Sequence, residues 1–279
     1  MGENKKEYYY SIGEVSKICN VSKKTLRFYD KIGLISPDKV SDDNNYRYYT
    51  RKTLLSVPII KYYKQMGFKL EEMRELLEGT TYSVFEKQFR RKIDELKELE
   101  KQVFQSYTSV KDWYDLILEA ELVIDNKVTE VSVKYMENAE YCFLEQEFEF
   151  NYMESVINID FTNFIESINN AITGPVMINF PSLKERMEGS TRKVRVVQRA
   201  ICPLEEQNTI RLGGHMVASC YHIGSHENLR ETYEKITRWA ECHGYQCGEE
   251  SLERYVTDYW TTKNPDQFVT EIMIKVSKI

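Results

Sequence analysis

The stretch from residue 9 to residue 49 constrains the fold of this chain most, because its local signals predict two short helices joined by a tight turn. Ser11 is a favourable cap for a first helix over residues 12 to about 19. Ser22 is a second cap residue, and it predicts a helix over residues 23 to about 31. A helix-turn-helix is therefore expected close to the start of the chain.

A β-hairpin is predicted soon after the second helix. The run Asp42-Asp43-Asn44-Asn45 favours a turn, and Tyr46-Arg47-Tyr48-Tyr49 is rich in residues that favour strands. Two helices followed by a hairpin predict a winged helix-turn-helix, in which the second helix enters the major groove of DNA.

Cations on the open side of the second helix predict contacts with DNA. Leu26 turns one face of this helix toward a core. Lys23, Lys24 and Arg27 lie on the other faces, where Arg27 is the best candidate for a base edge and the lysines suit phosphates. The hairpin and the next helix extend this surface, and the alternative for each cation is a solvated surface charge. The predicted DNA-binding residues are Lys23, Lys24, Arg27, Tyr29, Tyr46, Arg47, Tyr48, Lys61 and Lys64.

The spaced motifs of this region resemble the signature of the MerR family of transcription regulators. In order along the chain they are Ile12-Gly13-Glu14-Val15, Thr25-Leu26-Arg27-Phe28-Tyr29-Asp30, Gly33-Leu34-Ile35, Tyr46-Arg47-Tyr48-Tyr49 and Gly67-Phe68-Lys69-Leu70-Glu71-Glu72-Met73. Phe28 departs from the family, which commonly has Tyr there, and the lost hydroxyl can mean one fewer phosphate contact. Pro58 lies inside a helix predicted over residues 51–66, where it removes a backbone donor and predicts a kink or a boundary.

Charge is distributed unevenly along the 279 residues. Residues 1–70 hold 14 Lys and Arg against 7 Asp and Glu, while the remainder holds 24 against 37. A basic head on an acidic body fits a protein that places one end on DNA. The predicted domains are a winged helix-turn-helix head (1–79), a coiled-coil helix (80–119) and a ligand-binding body (120–279).

Hydropathy and cysteine usage argue against a membrane partner. The chain has no run of about 18 apolar residues and no signal-peptide core. Its six cysteines stand without a paired framework, as is common in a reducing compartment. A cytoplasmic location is therefore expected.

Residues 83–118 contain neither Gly nor Pro, and they predict one unbroken helix on the order of 50 Å long at about 1.5 Å per residue. Apolar residues alternate at spacings of four and three along it, interrupted by Glu100, which predicts a left-handed coiled coil. The alternative is an amphipathic helix lying on its own domain. The family resemblance implies antiparallel pairing with a second copy, hence a homodimer and a palindromic operator. The predicted seam residues are Phe89, Ile93, Leu96, Val103, Tyr107, Val110, Tyr114 and Ile117.

The C-terminal body predicts an antiparallel α+β fold with an internal repeat, since each half has the order strand, helix, strand, strand. Such halves would form two similar lobes that share a groove. The predicted strands are 128–135, 141–150, 176–180, 193–201, 215–223, 251–259 and 268–276, and the predicted helices are 161–171 and 227–243. With His222-Ile223-Gly224 and Val269-Thr270-Glu271-Ile272-Met273-Ile274, this pattern resembles a GyrI-like ligand domain. The combination with the head resembles the multidrug-sensing, BmrR-like branch of the MerR family.

Two acids inside strand patterns are candidates for ligand contacts, because a carboxylate on an apolar sheet face is costly unless it is paired or met by a cation. The resemblance implies that Glu253 faces a drug and that Glu271 is the second acid. Surrounding aromatic rings would add cation–π contacts of about 0.5–2 kcal/mol each for a lipophilic cation. The alternative for Glu253 is an ion pair at a sheet edge with an arginine such as Arg195 or Arg254. The predicted ligand-binding residues are Glu253, Glu271, Tyr255, Phe150, Tyr152, Tyr221 and Trp260.

No metal, cofactor or catalytic site is expected. Metal-sensing MerR relatives use cysteines near the ends of the dimer helix, and residues 78–138 contain none. Cys242, His243 and Cys247 make half a zinc site at most, and no second half stands at ligand spacing. No catalytic triad motif or phosphate loop occurs either.

A ligand-gated transcription activator is the function these patterns favour. The resemblance implies a dimer that distorts a promoter spacer when a lipophilic cationic drug binds, and so acts on RNA polymerase, with a drug exporter as the usual regulated gene. Two alternatives stay open. One is a ligand-independent DNA-binding repressor, and the other is a DNA-tethered GyrI-like hydrolase in which a buried Glu and a Tyr act as acid and base.

Overall fold

The computed structural model describes residues 8–79, 81–156 and 158–279. The chain forms two compact units, residues 1–100 and residues 101–279. The first unit contains the predicted winged helix-turn-helix, so this part of the fold prediction is confirmed. Its elements are β1 (Tyr10–Ser11), α1 (Ile12–Ile18), α2 (Lys23–Lys31), β2 (Lys39–Val40), β3 (Arg47–Tyr49), α3 (Arg51–Gln65) and α4 (Leu70–Leu77).

Side-chain caps begin both helices of the helix-turn-helix. The Ser11 side chain accepts from the Glu14 amide while the Glu14 carboxylate accepts from the Ser11 amide at 2.7 Å, which makes a capping box. The Ser22 hydroxyl accepts from the Thr25 amide at 3.0 Å. The wing strand β3 pairs with β2 on one side and with β1 on the other, in the order β1-β3-β2. The pairing with β1 joins the wing to the start of α1.

The core of the first unit uses the apolar faces that the sequence predicts, with one exception. Val15 and Leu26 are buried, but Ile18, which the three-residue spacing predicts on the same face of α1 as Val15, is exposed. Helix α3 continues through Pro58, so of the two predicted effects, a kink or a boundary, the boundary is absent. Proline cannot donate to the carbonyl four residues earlier. The thiol of Cys19 donates to that carbonyl, on Leu54, at 3.9 Å.

A helix of 44 residues, α5 (Tyr82–Asp125), is longer than the predicted 83–118 and belongs in part to each unit. It ends where Asn126 donates its side-chain amide to the Leu122 carbonyl at 2.8 Å and Lys127 adopts a left-handed backbone with φ of 50°. No helix among the described residues is long and apolar enough to cross a bilayer.

The second unit is an eight-stranded antiparallel sheet with helices. Its strand order is β4-β9-β11-β10-β6-β7-β5-β8. The sheet confirms the duplicated α+β fold, because β9-β11-β10 and β6-β7-β5 mirror one another around the central pair β10 and β6. The two halves form one continuous sheet rather than two lobes with separate sheets. The elements are β4 (Ser132–Met136), β5 (Ala139–Glu147), α6 (Tyr152–Val156), α7 (Ile159–Ser167), β6 (Met177–Phe180), α8 (Leu183–Glu188), β7 (Lys193–Arg199), β8 (Thr209–Leu212), β9 (His215–Ile223), α9 (Leu229–Cys242), β10 (Tyr245–Thr257) and β11 (Val269–Lys278).

The two faces of this sheet carry different residues. Glu253 lies opposite Ile272, and Arg254 lies opposite Glu271. Because neighbouring residues of a strand point to opposite faces, Glu253 and Glu271 lie on different sides of the sheet. We call the side of Glu253 the aromatic face and the side of Arg254 and Glu271 the groove face. Helix α9 packs on the aromatic face, while the end of α5 joins a buried cluster with Val256 on the groove face.

Candidate functional site

The predicted DNA-reading side chains lie on the surface of the first unit. Lys23, Lys24 and Arg27 are exposed on α2. Leu26 and Tyr29 point into the core from the same helix, and Tyr29 is 6% exposed. Tyr29 therefore packs in the core rather than joining the exposed cationic surface.

The wing is held against the second helix by an ion pair. The Arg47 guanidinium donates from Nε to the Asp30 carboxylate at 2.7 Å. Tyr46 is exposed beside it, and Tyr48 is half-buried. On α3, Lys64 is exposed and Lys61 donates to the Cys19 carbonyl at 2.7 Å. Arg47 and Lys61 thus have protein partners, whereas Tyr46 and Lys64 face solvent.

The predicted seam of α5 is exposed over most of its length. Phe89 is the exception, since its ring lies 5.1 Å from that of Phe68 and packs on the core of the first unit. It holds the helix to the head, and the exposed seam begins after it. The remaining seam residues are between 40% and 70% exposed, and they are Ile93, Leu96, Val103, Tyr107, Val110, Tyr114 and Ile117.

The Glu253 carboxylate lies in the middle of the aromatic face and is 0% exposed. The Tyr255 hydroxyl donates to its Oε2 at 2.6 Å, and the Tyr233 hydroxyl donates to its Oε1 at 3.0 Å. Burial raises the pKa of both tyrosines well above their usual range, and the charge of Glu253 adds to this shift. Both hydroxyls therefore stay protonated and donate to the carboxylate.

An arginine completes the set of partners around Glu253. Arg186 donates from Nε to Oε1 at 2.7 Å, and it is 5% exposed. Burial disfavours the guanidinium charge, yet the neighbouring Glu253 reverses this and raises the pKa of Arg186. Glu253 thus pairs with Arg186 at the centre of the sheet, and not at an edge with Arg195 or Arg254.

Aromatic rings enclose the Arg186 guanidinium. Its central carbon lies 4.9 Å from the ring centroid of Tyr233 and 5.0 Å from that of Phe180. Phe150 follows at 5.7 Å and Tyr152 at 5.9 Å, and the Tyr152 hydroxyl also accepts a hydrogen bond from Nη2. Four rings and a carboxylate therefore hold one delocalised cation. We call Glu253 and these four aromatic residues the cation cage.

A histidine lies next to the cation cage. The His226 ring stacks on Phe268 at 5.0 Å, and it is 5.2 Å from the rings of both Tyr152 and Tyr255. Both ring nitrogens are buried without a hydrogen-bond partner among the described residues. Burial, with a smaller contribution from His222, lowers the pKa of His226 to about 4. The ring is therefore neutral at pH 7.

Glu271, the second predicted acid, is paired on the groove face. It is 1% exposed, with Arg254 Nε at 2.8 Å and further contacts to Lys134 and the Ser219 hydroxyl. Burial alone would raise the pKa of Glu271, but Arg254 and Lys134 outweigh burial and lower it. Arg254 also binds Glu119 of α5, with Nη1 at 3.1 Å from that carboxylate. This network connects the sheet to the long helix.

The structure divides the predicted ligand residues between the two faces. Tyr255, Phe150 and Tyr152 surround Glu253 and Arg186 as described above. Tyr221 lies on the groove face, where its hydroxyl donates to Glu119 at 2.8 Å. Trp260 is largely exposed, with its ring 6.1 Å from that of Trp113 of α5. Glu271, Tyr221 and Trp260 therefore do not belong to one site with Glu253.

An open groove also lies on the groove face. It has a volume of about 490 Å³, and no Phe, Tyr or Trp is among its lining residues. Its lining residues include Met136, Leu212, His215, Leu252, Met273 and Lys275. The carboxylates of Glu249 and Glu250 also line the groove, but the aromatic rings around Glu253 are on the other side of the sheet, so the groove lacks the aromatic walls expected for a lipophilic cation.

The sequence analysis missed the helix that carries Arg186. Helix α8 (Leu183–Glu188) is capped by Ser182, whose side chain accepts from the Glu185 amide, and by Gly189 with φ of 72°. Ser182 and Glu185 have the spacing of a capping box, and Gly189 is a favoured helix stop. These signals could have located the helix. The pairing of Arg186 with a residue 67 positions away has no local signal.

No group of three or more His, Cys, Asp or Glu side chains in the described part of the chain could hold a metal ion. His222 contacts the Thr232 hydroxyl at 2.9 Å and the Ser225 carbonyl at 3.0 Å.

Known families match both parts of this architecture. The model of the MerR HTH family regulatory protein matches residues 10–80, and the model of the GyrI-like small molecule binding domain matches residues 129–277, more than half of the chain. The chain therefore belongs to the MerR family of transcription regulators and carries a GyrI-like small-molecule-binding domain after its head.

Curated relatives agree with this assignment. The multidrug-efflux transporter 1 regulator of Bacillus subtilis (strain 168) is 46% identical over 104 residues, which are 35% of this chain and 37% of that protein. The multidrug-efflux transporter 2 regulator of the same organism is 26% identical over the whole of both chains. The mercuric resistance operon regulatory protein of Bacillus cereus is 31% identical over 33% of this chain and 78% of that protein.

Proposed function

We propose that this chain is a homodimeric transcription regulator that binds palindromic promoter DNA and activates transcription when a lipophilic cation binds its C-terminal domain. The observation that carries this proposal is the cation cage. A buried carboxylate is surrounded by aromatic rings, and a guanidinium already occupies the space between them. The relatives that regulate multidrug-efflux transporters support the same class of ligand and a drug exporter as the regulated gene.

Dimerisation is supported by the exposed seam of α5. Seven predicted seam residues, from Ile93 to Ile117, leave large apolar side chains in water in the single chain. A second copy would cover them with the same seam, and a two-fold axis would place two heads on one face of a palindromic site. Analytical ultracentrifugation at micromolar concentration should give the mass of a dimer. A monomer would contradict the proposed DNA geometry.

Activation would act on the shape of the promoter. Distorting a site of this size costs about 1–6 kcal/mol, and a ligand shifts the balance between two dimer shapes only by its difference in affinity for them. We expect similar DNA affinity with and without ligand but a different DNA bend, which RNA polymerase reads. Release of DNA by the ligand would instead favour a repressor.

The ligand half of the proposal is tested by calorimetric titration of the full chain. Tetraphenylphosphonium is the cationic probe, and triphenylphosphine oxide is a neutral probe of similar shape. Binding of the cation alone is expected, because only the cation gains the Glu253 carboxylate. Equal binding of both probes, or of neither, would contradict cation sensing and leave the DNA-binding half intact.

The DNA half is tested separately by selecting bound sequences from a random duplex pool. A palindromic site is expected, and Arg27→Ala should lose the preference for it over random DNA because, in this proposal, Arg27 reads a base edge. Arg90→Ala is the matched control, since Arg90 is an exposed arginine on α5 outside the helix-turn-helix. An Arg27→Ala variant that still prefers the selected site over random DNA would show that another residue reads the bases.

A further inference from the structure

We infer that Arg186 is a resident occupant of the cation cage, and that a cationic ligand binds by displacing it. This inference rests on the proposed function and concerns how the same site is controlled. A side chain of the protein itself then holds the cage closed, and it sets how strong a competitor must be to open the cage.

The contacts of Arg186 are those that a lipophilic cation would need. Its guanidinium has four aromatic rings within 5.9 Å and one carboxylate oxygen at 2.7 Å. Glu253, Tyr233, Phe180 and Arg186 are buried and Phe150 is half-buried, so the guanidinium fills the space beside the carboxylate. A positive ligand can reach the carboxylate only by taking the place of the guanidinium.

The element that carries Arg186 is lightly held. Helix α8 has six residues, and only Leu183 and Arg186 are buried, while Lys184, Glu185 and Glu188 are exposed. A space of about 720 Å³ lies alongside this helix, bordered by Leu183, Met187, Arg230 and Cys247. Apart from the ring contacts of Arg186 itself, α8 contributes Leu183 and the half-buried Met187 to the core, so withdrawal of Arg186 would break few further apolar contacts, and the space beside the helix gives it room.

Displacement leaves no unpaired acid behind. The incoming cation takes over Glu253, and the Tyr233 and Tyr255 hydroxyls keep donating to the carboxylate. The expelled guanidinium moves toward water, where it is well solvated. The apparent affinity for a ligand equals the intrinsic affinity multiplied by the fraction of molecules in which Arg186 has left the cage. A small open fraction therefore lowers the apparent affinity. Arg186 thus excludes cations that bind the cage weakly. It selects cations whose apolar surface makes more contact with the four rings than the guanidinium does.

The test compares wild type with Arg186→Met by titration with tetraphenylphosphonium and triphenylphosphine oxide. Methionine keeps the length and apolar bulk of the arginine stem but removes the competing charge. We expect at least tenfold tighter binding of the cation, while the neutral probe should bind neither wild type nor Arg186→Met. Lys184→Met is the matched control on the exposed side of α8, and Arg186→Lys keeps the charge; both should bind within threefold of wild type.

Three outcomes separate the two hypotheses. Tighter cation binding by Arg186→Met supports the inference. A cation that binds wild type, but binds Arg186→Met equally or more weakly, overturns the inference and leaves the proposed function standing. A cation that binds neither protein overturns both.

A second measurement does not depend on the folding of a variant. Hydrogen exchange of wild type should become faster across residues 183–188 when tetraphenylphosphonium binds, because α8 loses its main buried contact. Slower or unchanged exchange there in the bound state would contradict displacement. If Arg186→Met fails to fold, Arg186→Met combined with Glu253→Gln removes both charges, and this variant should bind the two probes equally.

Discussion

Two glutamate–arginine pairs lie on opposite faces of the strand pair β10 and β11, and their surroundings differ. On the aromatic face, Glu253 and Arg186 are enclosed by rings and tyrosine hydroxyls. On the groove face, Glu271 and Arg254 share their charges with Lys134 and with Glu119 of α5. A cation can replace Arg186 without unpairing any other charge, whereas removing Arg254 would leave two acids short of a partner. The pair on the aromatic face therefore suits replacement of its arginine by a ligand, whereas the pair on the groove face suits a permanent link between the sheet and α5.

The largest expected difference is in stability. Glu253→Gln leaves Arg186 buried without a counter-ion, and breaking such a pair costs about 3–5 kcal/mol of unfolding free energy. Glu271→Gln should cost less, about 1–3 kcal/mol, because Arg254 keeps Glu119. Urea unfolding measures both, with the exposed Glu130→Gln as control. A larger loss for Glu271→Gln would reverse our ranking of the two pairs.

The two faces should also respond differently to acid. The pKa of His226 is lowered from 6.5 to about 4, so the unfolded chain binds the proton first, and stability present above pH 6.5 is lost as the pH falls toward 4. The loss is roughly 3 kcal/mol for a shift of this size. The pKa of Glu271 is lowered from 4.5, so the stability that this carboxylate contributes is lost only at pH values below 4.5.

Unfolding free energies measured between pH 7 and pH 4 test this contrast. His226→Phe should flatten the decline between pH 6.5 and 4.5, because phenylalanine fits the surrounding rings and binds no proton. Glu271→Gln should leave that part of the profile unchanged. A decline that persists in His226→Phe would assign the acid sensitivity to another group.

Ligand affinity is the third way to separate the faces. Glu253→Gln should weaken tetraphenylphosphonium binding at least tenfold, about 1.4 kcal/mol, because it removes the charge that selects a cation. Glu271→Gln should change the affinity less than threefold, since Glu271 lies on the opposite face. Calorimetry on both variants decides this. A tenfold loss in Glu271→Gln alone would move the ligand to the groove face.

The smallest expected effect concerns communication with α5. Glu119→Gln weakens the contacts of α5 with Arg254 and with the Tyr221 hydroxyl. We expect unchanged cation affinity but a weaker transcriptional response, with a loss of coupling of about 0.5–2 kcal/mol. In vitro transcription with and without tetraphenylphosphonium measures it, and Glu121→Gln on the exposed side of α5 is the control. An equal response in both variants would exclude this connection.

Much of the secondary structure followed from local signals. The capped helices of the head were predicted within a residue or two, and β9 has the predicted bounds of His215–Ile223. Helices α6 and α8 were missed because each has six residues or fewer, too few for a periodic pattern, although the cap residues Ser182 and Gly189 of α8 are visible in the sequence. The boundaries of the three predicted domains and the dimer seam stay predictions.

The sequence by itself determined the winged helix-turn-helix, the long helix, the repeat of strands and helices, and the two acids within strands. These follow from caps, periodicity and spacing, which act over a few residues. Only the tertiary structure decided that Glu253 and Glu271 lie on opposite faces, because their relative side depends on the register of β10 against β11. It also decided that Arg186 occupies the cage. Arg186 pairs with Glu253 because a short helix packs onto a strand that is distant in the sequence, and no local sequence pattern predicts this contact.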